Sequence, residues 1–213
     1  MTAAPRILPA GDRALLVEFD AAPSSALFAH HLAAQPPAEV ADLVAAEHTV
    51  LVVATPGTSR SALRDVLADR LHTRGRQNDL FELAGEEVTI GVHYDGADLD
   101  DVARITGLTR TQVIAAHTNI TWTCSFIGFA PGFGYLTSPE NPFDLPRRAQ
   151  SRPQVPAGAV ALAGKYSAVY PRSSPGGWQL IGTTETPLWN LEASPPSLLR
   201  AGTSVRFTDL DAR

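Results

Sequence analysis

The sequence predicts an α+β protein with a small α/β N-terminal domain and a larger C-terminal domain that is a β-barrel or a β-sandwich. Strand and helix patterns alternate in the N-terminal part. A polar segment that begins at Arg74 interrupts both periodicities. After His117, short β-rich pieces are separated by turns rich in glycine and proline. We therefore expect one domain over residues 1–84 and the other over residues 85–213.

The N-terminal part contains predicted elements in a strand–helix–strand–helix order. They are a hairpin with strands Arg6–Leu8 and Ala14–Phe19, a helix from Ser24 to Ala34, a strand at Thr49–Ala54 and a helix that begins at Ser59. A serine at a helix start accepts a hydrogen bond from a backbone N–H that has no partner within the helix. Leu63, Leu67 and Leu71 share one face of the last helix, which is the pattern of a helix packed against a core.

The C-terminal part opens with a strand and two short helices. The strand is predicted at Val88–His93, and the helices at Leu99–Ile105 and Thr109–Ala116. Thr109-Arg-Thr-Gln112 is a capping box, in which the two polar side chains bind each other's backbone N–H groups. An acidic cluster spans the start of the first helix: Asp95 and Asp98 precede it, and Asp100 and Asp101 lie in its first turn. We expect Asp98 to be the N-cap of this helix, and paired carboxylate catalysis is the alternative.

Composition excludes several classes of protein. The net charge of −5 argues against general nucleic-acid binding. The longest apolar run, near Val50–Ala54, is too short to cross a membrane, and the N-terminus lacks the pattern of a secretory leader. A single cysteine, Cys124, fits a reducing compartment and lies in an apolar strand, so we expect a buried structural thiol in a cytoplasmic protein.

Positive charge is concentrated in the C-terminal part. Between Arg147 and Arg206 there are seven basic residues and two acidic ones. Arg147, Arg148 and Arg152 lie beside prolines, which stiffen the backbone, and a guanidinium suits a carboxylate or phosphate. Lys165, the only lysine, follows Gly164 in a turn. These residues indicate an anionic ligand, although arginines on the outer face of a β-domain give the same pattern.

Aromatic residues accompany the glycine and proline turns between residues 126 and 178. Any one of them is explained by core packing, but their association with Pro-Gly-Phe and Pro-Gly-Gly-Trp favours a ligand pocket or an interface. The candidate binding residues of these turns are Phe129, Pro131, Gly132, Phe133, Tyr135, Tyr166, Gly176, Gly177 and Trp178.

Other catalytic signals are sparse. The glycines around Lys165 do not have the spacing of a phosphate-binding loop. The six histidines lack the spacing of a metal site. His117 ends a helix before the glycine-rich stretch, so it is a candidate acid/base or ligand contact at the mouth of a barrel. The alternative is a histidine favoured by the helix dipole.

Several of these motifs, in this order, resemble the allophanate hydrolase subunit 1 family, which includes the B subunit of 5-oxoprolinase (PxpB) and the kinase inhibitor KipI. The resemblance covers nearly the whole chain. It is carried by the opening Leu8–Phe19, His117, Gly128–Phe133, Tyr135-Leu136, Pro146-Arg-Arg148, Val155-Pro-Ala-Gly158, Tyr170-Pro171 and Ser174-Pro-Gly-Gly-Trp178.

The resemblance implies a cyclophilin-like β-barrel as the C-terminal domain. It also implies a cytosolic bacterial hydrolase subunit with two partners. One is a paralogous barrel protein, the C subunit of 5-oxoprolinase, which we call the barrel partner. The other is the A subunit of the same enzyme, which we call the third subunit.

Together these three proteins would convert 5-oxoproline, ATP and water to glutamate, ADP and phosphate. The resemblance further implies that ATP and Mg²⁺ are shared with the partner proteins. It leaves open whether the lone chain is active.

In this interpretation, His117 and Arg148 are the expected catalytic residues. Arg147, Arg148 and Lys165 would hold phosphate or the substrate carboxylate, and Phe133, Tyr135 and Trp178 would shape the pocket. The chain has Ala163-Gly-Lys-Tyr-Ser-Ala168 where the family usually has Ala-Gly-Gly-Gln-Thr-Gly, so the substrate is open to question at this point. The alternative function is a KipI-type inhibitor that binds a sensor histidine kinase.

Overall fold

The computed structural model of the chain describes residues 4–20, 22–74 and 87–212. The chain divides into two compact units, Met1–Ala84 and Gly85–Arg213. Each unit has a hydrophobic core of its own. The polar connection predicted to begin at Arg74 falls mainly on residues 75–86, outside the described residues. No helix in the described ranges is long and apolar enough to cross a membrane.

The first unit is a four-stranded antiparallel sheet that packs against two helices. Its elements are β1 (Arg6–Pro9), β2 (Ala14–Glu18), α1 (Ala22–Ala34), β3 (Val40–Ala45), β4 (Thr49–Ala54) and α2 (Arg60–Arg74). The strand order is β1-β2-β4-β3. Valines of β2 and β4 and leucines of α2 are completely buried in this core, as the alternating and helical patterns predict.

The hairpin, the buried strand and the second helix predicted for this unit are confirmed. The Ser59 hydroxyl accepts a hydrogen bond from the Ala62 N–H at 3.1 Å and so caps α2. One prediction needs correction, and one strand was missed. Helix α1 begins at Ala22, so Ser24 lies in its first turn rather than at its cap. Strand β3 was not predicted, because a bulge after Val40 breaks its alternation.

The second unit is a seven-stranded sheet that curls into a barrel, with a two-stranded sheet beside it. Its elements are β5 (Glu87–Val92), α3 (Leu99–Thr106), α4 (Arg110–Thr118), β6 (Trp122–Ile127), β7 (Gly134–Thr137), β8 (Arg152–Val155), β9 (Ala159–Ala163), β10 (Tyr166–Val169), β11 (Ser174–Gly176), β12 (Gln179–Thr183) and β13 (Ser204–Asp209). The large sheet has the order β12-β9-β10-β7-β6-β13-β5, and the small one pairs β11 with β8.

The prediction of a mixed α/β protein with a barrel is confirmed, and of the two alternatives for the β-rich part the barrel is the one that forms. The predicted strand and both predicted helices after residue 85 are present. Thr109 and Gln112 form the predicted capping box of α4.

The barrel is closed by the segment that follows β5. His93 exchanges two backbone hydrogen bonds of 2.8 Å with Thr183 of β12, and the Asp98 N–H then donates to the Leu180 carbonyl at 2.9 Å. Two glycines make this approach possible. A Cβ on Gly96 would overlap the backbone of β12, and a Cβ on Gly182 would lie 2.5 Å from the His93 carbonyl oxygen. This junction between the closing segment and β12, which we call the seam, therefore requires a residue without a Cβ on both sides.

We expect Gly96→Ala to lower the free energy of unfolding by at least about 3 kcal/mol, because the added methyl group forces the closing segment away from β12. Gly107→Ala is the control. Gly107 has open space around its Cβ position, so only its positive φ is penalised, at about 1 kcal/mol. Urea unfolding of both variants measures the difference, and equal losses would contradict a close-packed seam.

Candidate functional site

Aromatic side chains form one continuous cluster in the second unit. Its members are Phe126, Phe129, Phe133, Tyr135, Tyr166, Tyr170 and Trp178. Phe133 is central, and its ring meets four others edge-on at centroid distances between 5.1 and 5.5 Å. Aromatic rings prefer this geometry. The structure thus brings together the five aromatic residues that the sequence nominated.

The cluster lies on the outer face of the barrel wall. Leu136 and Val169 point into the barrel core, and neighbouring residues of a strand point to opposite faces. Tyr135 and Tyr166 therefore point outward. A bulge in β6 shifts its register so that Phe126 pairs with Tyr135 and joins the same face.

Two of the three predicted anion-binding arginines are held by a buried carboxylate. Asp98 is 1% exposed. Its Oδ2 accepts the Leu180 N–H at 2.7 Å, and its Oδ1 accepts an Nη2–H of Arg152 at 2.7 Å and an Nη1–H of Arg148. Asp98 thus occupies the N-cap position of α3, but its side chain makes no capping bond. The prediction that Asp98 is the N-cap residue is confirmed, but the capping hydrogen bond is absent, because two guanidinium groups and a strand N–H bind its carboxylate instead.

The three arginines carry more hydrogen-bond donors than the Asp98 carboxylate can accept. Arg148 Nε and Arg152 Nη1 are buried and have no hydrogen-bond partner within the described residues. Arg147 is exposed and makes no hydrogen bond or ion pair within the same ranges. The nearby Asp101 carboxylate is bound by Arg104. Unsatisfied N–H donors raise the free energy of the folded state, so an anion at this position would be stabilising.

Tyr170 joins the arginines to the aromatic cluster. Burial raises the pKa of its hydroxyl, and this is opposed by the positive charges of Arg147 and Arg152 and by a hydrogen bond from the Trp178 backbone. The Tyr170 ring also contacts Phe133 edge-on at 5.2 Å. The candidate site is therefore one region, in which a mostly buried aromatic cluster, open to solvent at Phe129 and in part at Tyr135, lies beside a cluster of guanidinium groups.

The predicted glycines of β11 and its following turn allow close packing at this surface. A Cβ on Gly176 would overlap the Tyr170 hydroxyl, and a Cβ on Gly177 would lie 2.8 Å from the Ser151 Oγ. The Gly177 carbonyl accepts the Arg148 N–H at 2.8 Å, which ties the arginine segment to the turn. Gly176 and Gly177 thus position the site without offering side chains to a ligand.

Pro131 and Gly132 lie in the loop that carries Phe129. Gly132 has a φ of 81°, and a Cβ on it would lie 3.0 Å from the Leu188 carbonyl oxygen. The loop is consequently pressed against the chain at Leu188 and Trp189, and Pro131 is exposed on it.

Lys165 lies next to Tyr166, a member of the cluster. Its exposed Nζ is 5.6 Å from the centroid of the Tyr166 ring. Attraction between an ammonium group and an aromatic face acts at this distance. The lysine therefore adds positive charge at the edge of the aromatic surface.

His117 lies in the interior of the second unit. It is fully buried, Tyr94 Oη lies 2.7 Å from its Nδ1, and Ser167 Oγ lies 2.8 Å from its Nε2. The ring stacks on Phe207 at a centroid distance of 4.3 Å, and the Trp122 indole N–H donates to the His117 carbonyl. Burial lowers the pKa of His117 to about 3, so the imidazole is neutral and links two hydroxyl groups across the core.

The expectation that His117 lies at the mouth of the barrel is wrong, because its ring is enclosed by aromatic side chains. Its role as a proton carrier stays a prediction. The expectation of a structural Cys124 is confirmed, since the thiol is completely buried and burial raises its pKa to about 12. Among the described residues, no group of three or more histidine, cysteine, aspartate or glutamate side chains could hold a metal ion.

Sequence reasoning missed two residues of the site. Asp98 had a signal of its own, an acidic residue before a helix, but its partners lie 50, 54 and 82 residues away along the chain. Tyr170 was noticed only as part of a motif. No local pattern identifies either contact, because both depend on the closure of the barrel.

The chain matches the family described as "Carboxyltransferase domain, subdomain C and D" over residues 5–199. It is 42% identical over 136 residues to the B subunit of 5-oxoprolinase from Bacillus subtilis, covering 62% of this chain and 57% of that one. It is 42% identical over 142 residues to the B subunit of 5-oxoprolinase from Escherichia coli O157:H7, covering 65% of each chain. The resemblance found in the sequence is thereby confirmed.

Among solved structures, the chain is similar to TTHA0988, with a TM-score of 0.75 and 34% identity. The match covers 94% of this chain but 40% of TTHA0988. The chain also spans less than two thirds of the length of both curated relatives. Each of these relatives therefore contains sequence beyond the matched region.

We expect Asp98→Asn to lower the free energy of unfolding by about 3–5 kcal/mol, because it leaves two part-buried guanidinium groups without their counter-charge. Asp100→Asn is the matched control, since the Asp100 carboxylate is 75% exposed in its ion pair with Arg110 and such pairs contribute little. Urea unfolding measures both. Equal stability of the two variants would show that the buried ion pairs do not hold the site.

We expect His117 to make the protein sensitive to acid. The unfolded imidazole takes up a proton near its ordinary pKa of about 6.5, whereas burial lowers the pKa of the folded one to about 3. The unfolded state therefore binds more protons between these values. The contribution of His117 is complete above about pH 6.5 and falls by about 1.4 kcal/mol per pH unit on acidification.

His117→Gln keeps a donor and an acceptor but does not titrate. Its stability should therefore depend less steeply on pH than that of the wild type between about pH 6.5 and pH 4. Urea unfolding at a series of pH values provides the comparison. Parallel pH profiles of the two proteins would exclude the buried imidazole as the source of acid sensitivity.

Proposed function

The chain belongs to the carboxyltransferase-domain family of subdomains C and D, and on this premise we propose that it is a subunit of a bacterial ATP-dependent 5-oxoprolinase. The proposed reaction converts 5-oxoproline, ATP and water to glutamate, ADP and phosphate. The identity of 42% to two proteins named as B subunits of 5-oxoprolinase supports the substrate. The observation that carries the proposal is the surface on which guanidinium groups adjoin aromatic rings.

This surface suits a small ring that carries a carboxylate. The exposed Phe129 and the half-buried Tyr135 offer apolar faces to a five-membered ring. Of the three arginines, Arg147 alone makes no hydrogen bond or ion pair within the described ranges. It is therefore available to bind a carboxylate in a bidentate manner. Arg148 and Arg152 add positive charge from positions that Asp98 fixes.

The proposed role of Arg148 follows from its contact with Asp98. In our proposal Arg148 stabilises negative charge on the reacting groups from a fixed position, and Arg147 makes the first contact with the substrate. Replacing Arg148 would also disturb the fold, since Asp98 would lose one of its two guanidinium partners. A loss of activity in Arg148→Ala would therefore not identify a catalytic residue.

ATP is the second substrate in this proposal, and it activates a lactam carbonyl that is a poor electrophile by itself. We propose that the nucleotide is bound jointly with the barrel partner and the third subunit. This chain would contribute Lys165, which is exposed and positively charged. The absence of a phosphate-binding loop from the sequence supports a shared site.

The direct test is 5-oxoproline-dependent phosphate release by this chain purified with the barrel partner and the third subunit. We expect release that requires all three proteins and that stops when this chain is omitted. Release that continues without this chain would refute the proposal. A folded complex that hydrolyses no ATP with 5-oxoproline would redirect the search to another amide or to inhibition of a histidine kinase.

We expect Arg147→Ala to raise the KM for 5-oxoproline about tenfold or more and to change kcat less, because the lost contact binds the carboxylate before and during the reaction. Arg206→Ala is the control, since Arg206 is half exposed and pairs with Glu87 on the surface. Steady-state phosphate release measures both variants. An unchanged KM in Arg147→Ala would exclude Arg147 as the carboxylate ligand.

A further inference from the structure

Arg147 is the arginine of the candidate site that Asp98 does not hold. Asp98 binds the guanidinium groups of Arg148 and Arg152, whereas the Arg147 side chain extends into solvent. A long, flexible side chain loses conformational entropy when it binds a ligand, and this loss is smaller when its starting position is fixed. The direction from which Arg147 reaches a ligand is set by its backbone.

The peptide groups on both sides of Arg147 are bound at the start of β12. The Gln179 Nε2–H donates to the Pro146 carbonyl at 3.0 Å, and the Arg148 N–H donates to the Gly177 carbonyl at 2.8 Å. The Pro146 carbonyl and the Arg148 N–H belong to the two peptide units that flank Arg147. Because each unit is planar, fixing both restricts φ and ψ of Arg147 and so the direction of its Cα–Cβ bond. We call the Gln179 amide and the Gly177 carbonyl the clamp.

The same stretch of chain is also held before Pro146. The Leu145 N–H donates to the Gly164 carbonyl at 3.1 Å, and the Gly164 N–H donates to the Leu145 carbonyl at 2.6 Å. The Leu145 side chain is buried in the barrel core. Arg147 therefore projects from a short stretch whose backbone is hydrogen-bonded on either side of it.

Stability alone does not explain a glutamine at position 179. Gln179 is 5% exposed. A carbonyl oxygen only accepts hydrogen bonds, so the amide nitrogen faces Pro146. The Gln179 Oε1 is buried and has no hydrogen-bond partner among the described residues. A buried acceptor without a partner is destabilising, and an apolar residue of similar length would avoid this penalty. What the glutamine provides is the hydrogen bond to the chain that carries Arg147.

We propose that Gln179 is a positioning residue, which holds the backbone at Arg147 so that the guanidinium meets the substrate carboxylate. The inference rests on the proposed function, which supplies the substrate. Gln179 acts through Arg147 and makes no contact with the ligand itself. Asp98 fixes two guanidinium groups through charge, and Gln179 fixes the third arginine through its main chain.

Two substitutions remove the contact, and a third is the matched control. Gln179→Met removes the amide and keeps the length of the side chain. Gln179→Asn keeps an amide that is one methylene shorter. Ser25→Ala is the control, because Ser25 is 1% exposed and its Oγ donates to the Ala46 and Glu47 carbonyls of the first unit at 3.0 and 2.8 Å. It removes a buried side-chain donor to the backbone without changing the clamp.

Amide hydrogen exchange of the lone chain, followed residue by residue by NMR, tests the clamp without using catalysis. We expect both Gln179 variants to accelerate exchange of the Arg148 N–H about tenfold, because its bond to Gly177 loses the neighbouring bond to Pro146. The Thr183 N–H, which donates to the His93 carbonyl, reports on the rest of β12 and should exchange at the wild-type rate. Unchanged exchange at Arg148, or equal acceleration at Thr183, would overturn the clamp.

Steady-state phosphate release by the complex with the barrel partner and the third subunit tests whether Gln179 acts through Arg147. Gln179→Met should raise the KM for 5-oxoproline about fivefold and change kcat less. The double variant Arg147→Ala/Gln179→Met should have the KM of Arg147→Ala, because the clamp then has no guanidinium to position. Ser25→Ala should leave the KM unchanged. Effects of the two substitutions that multiply, or an equal rise in Ser25→Ala, would refute the positioning role.

The two measurements separate this inference from the proposed function. If the wild-type complex releases no phosphate with 5-oxoproline, the proposed function fails, while faster exchange at Arg148 in Gln179→Met still supports the clamp. If the complex is active and Gln179→Met leaves the KM for 5-oxoproline unchanged, the proposed function stands and the positioning role of Gln179 is wrong.

Discussion

The second unit depends on the contact between Asp98 and β12. The Asp98 backbone closes the barrel by donating to the Leu180 carbonyl, and its carboxylate accepts the Leu180 N–H in return. The same carboxylate binds Arg148 and Arg152. One buried charge therefore joins the closure of the fold to the placement of the site, and neither can move without the other.

The barrel wall separates structural from ligand-facing polar groups. On its inner side, His117 is neutral and links Tyr94 to Ser167 within an apolar core. On its outer side, Phe129, Tyr135 and the guanidinium groups remain exposed or half-buried, whereas the other rings of the cluster are buried. The close-packed core on the inner side supports the wall and so holds the outer groups at fixed distances, which is what a binding surface requires.

Local sequence patterns predicted most of the helices and strands, but they did not predict the polar contacts of Asp98 and His117. The capping box at Thr109 and the cap at Ser59 are encoded within four residues, and both form. Asp98 and His117 carry similar local signals, an acidic residue before a helix and a histidine at a helix end. Their partners come from distant strands, so tertiary contacts decide their roles. The aromatic cluster was predictable as a group because its glycine and proline turns recur beside it.

The three arginines of the site are close in sequence but differ in their contacts: Arg148 and Arg152 bind Asp98, whereas Arg147 is exposed. Asp98 is buried and is also bound by a backbone N–H, so an incoming anion cannot displace it from Arg148 and Arg152. The anion must instead meet the donors that Asp98 leaves unused, together with the exposed Arg147. A site of this kind gains binding from excess positive charge while its geometry is set before the ligand arrives. The buried carboxylate thus fixes where a negative charge can bind.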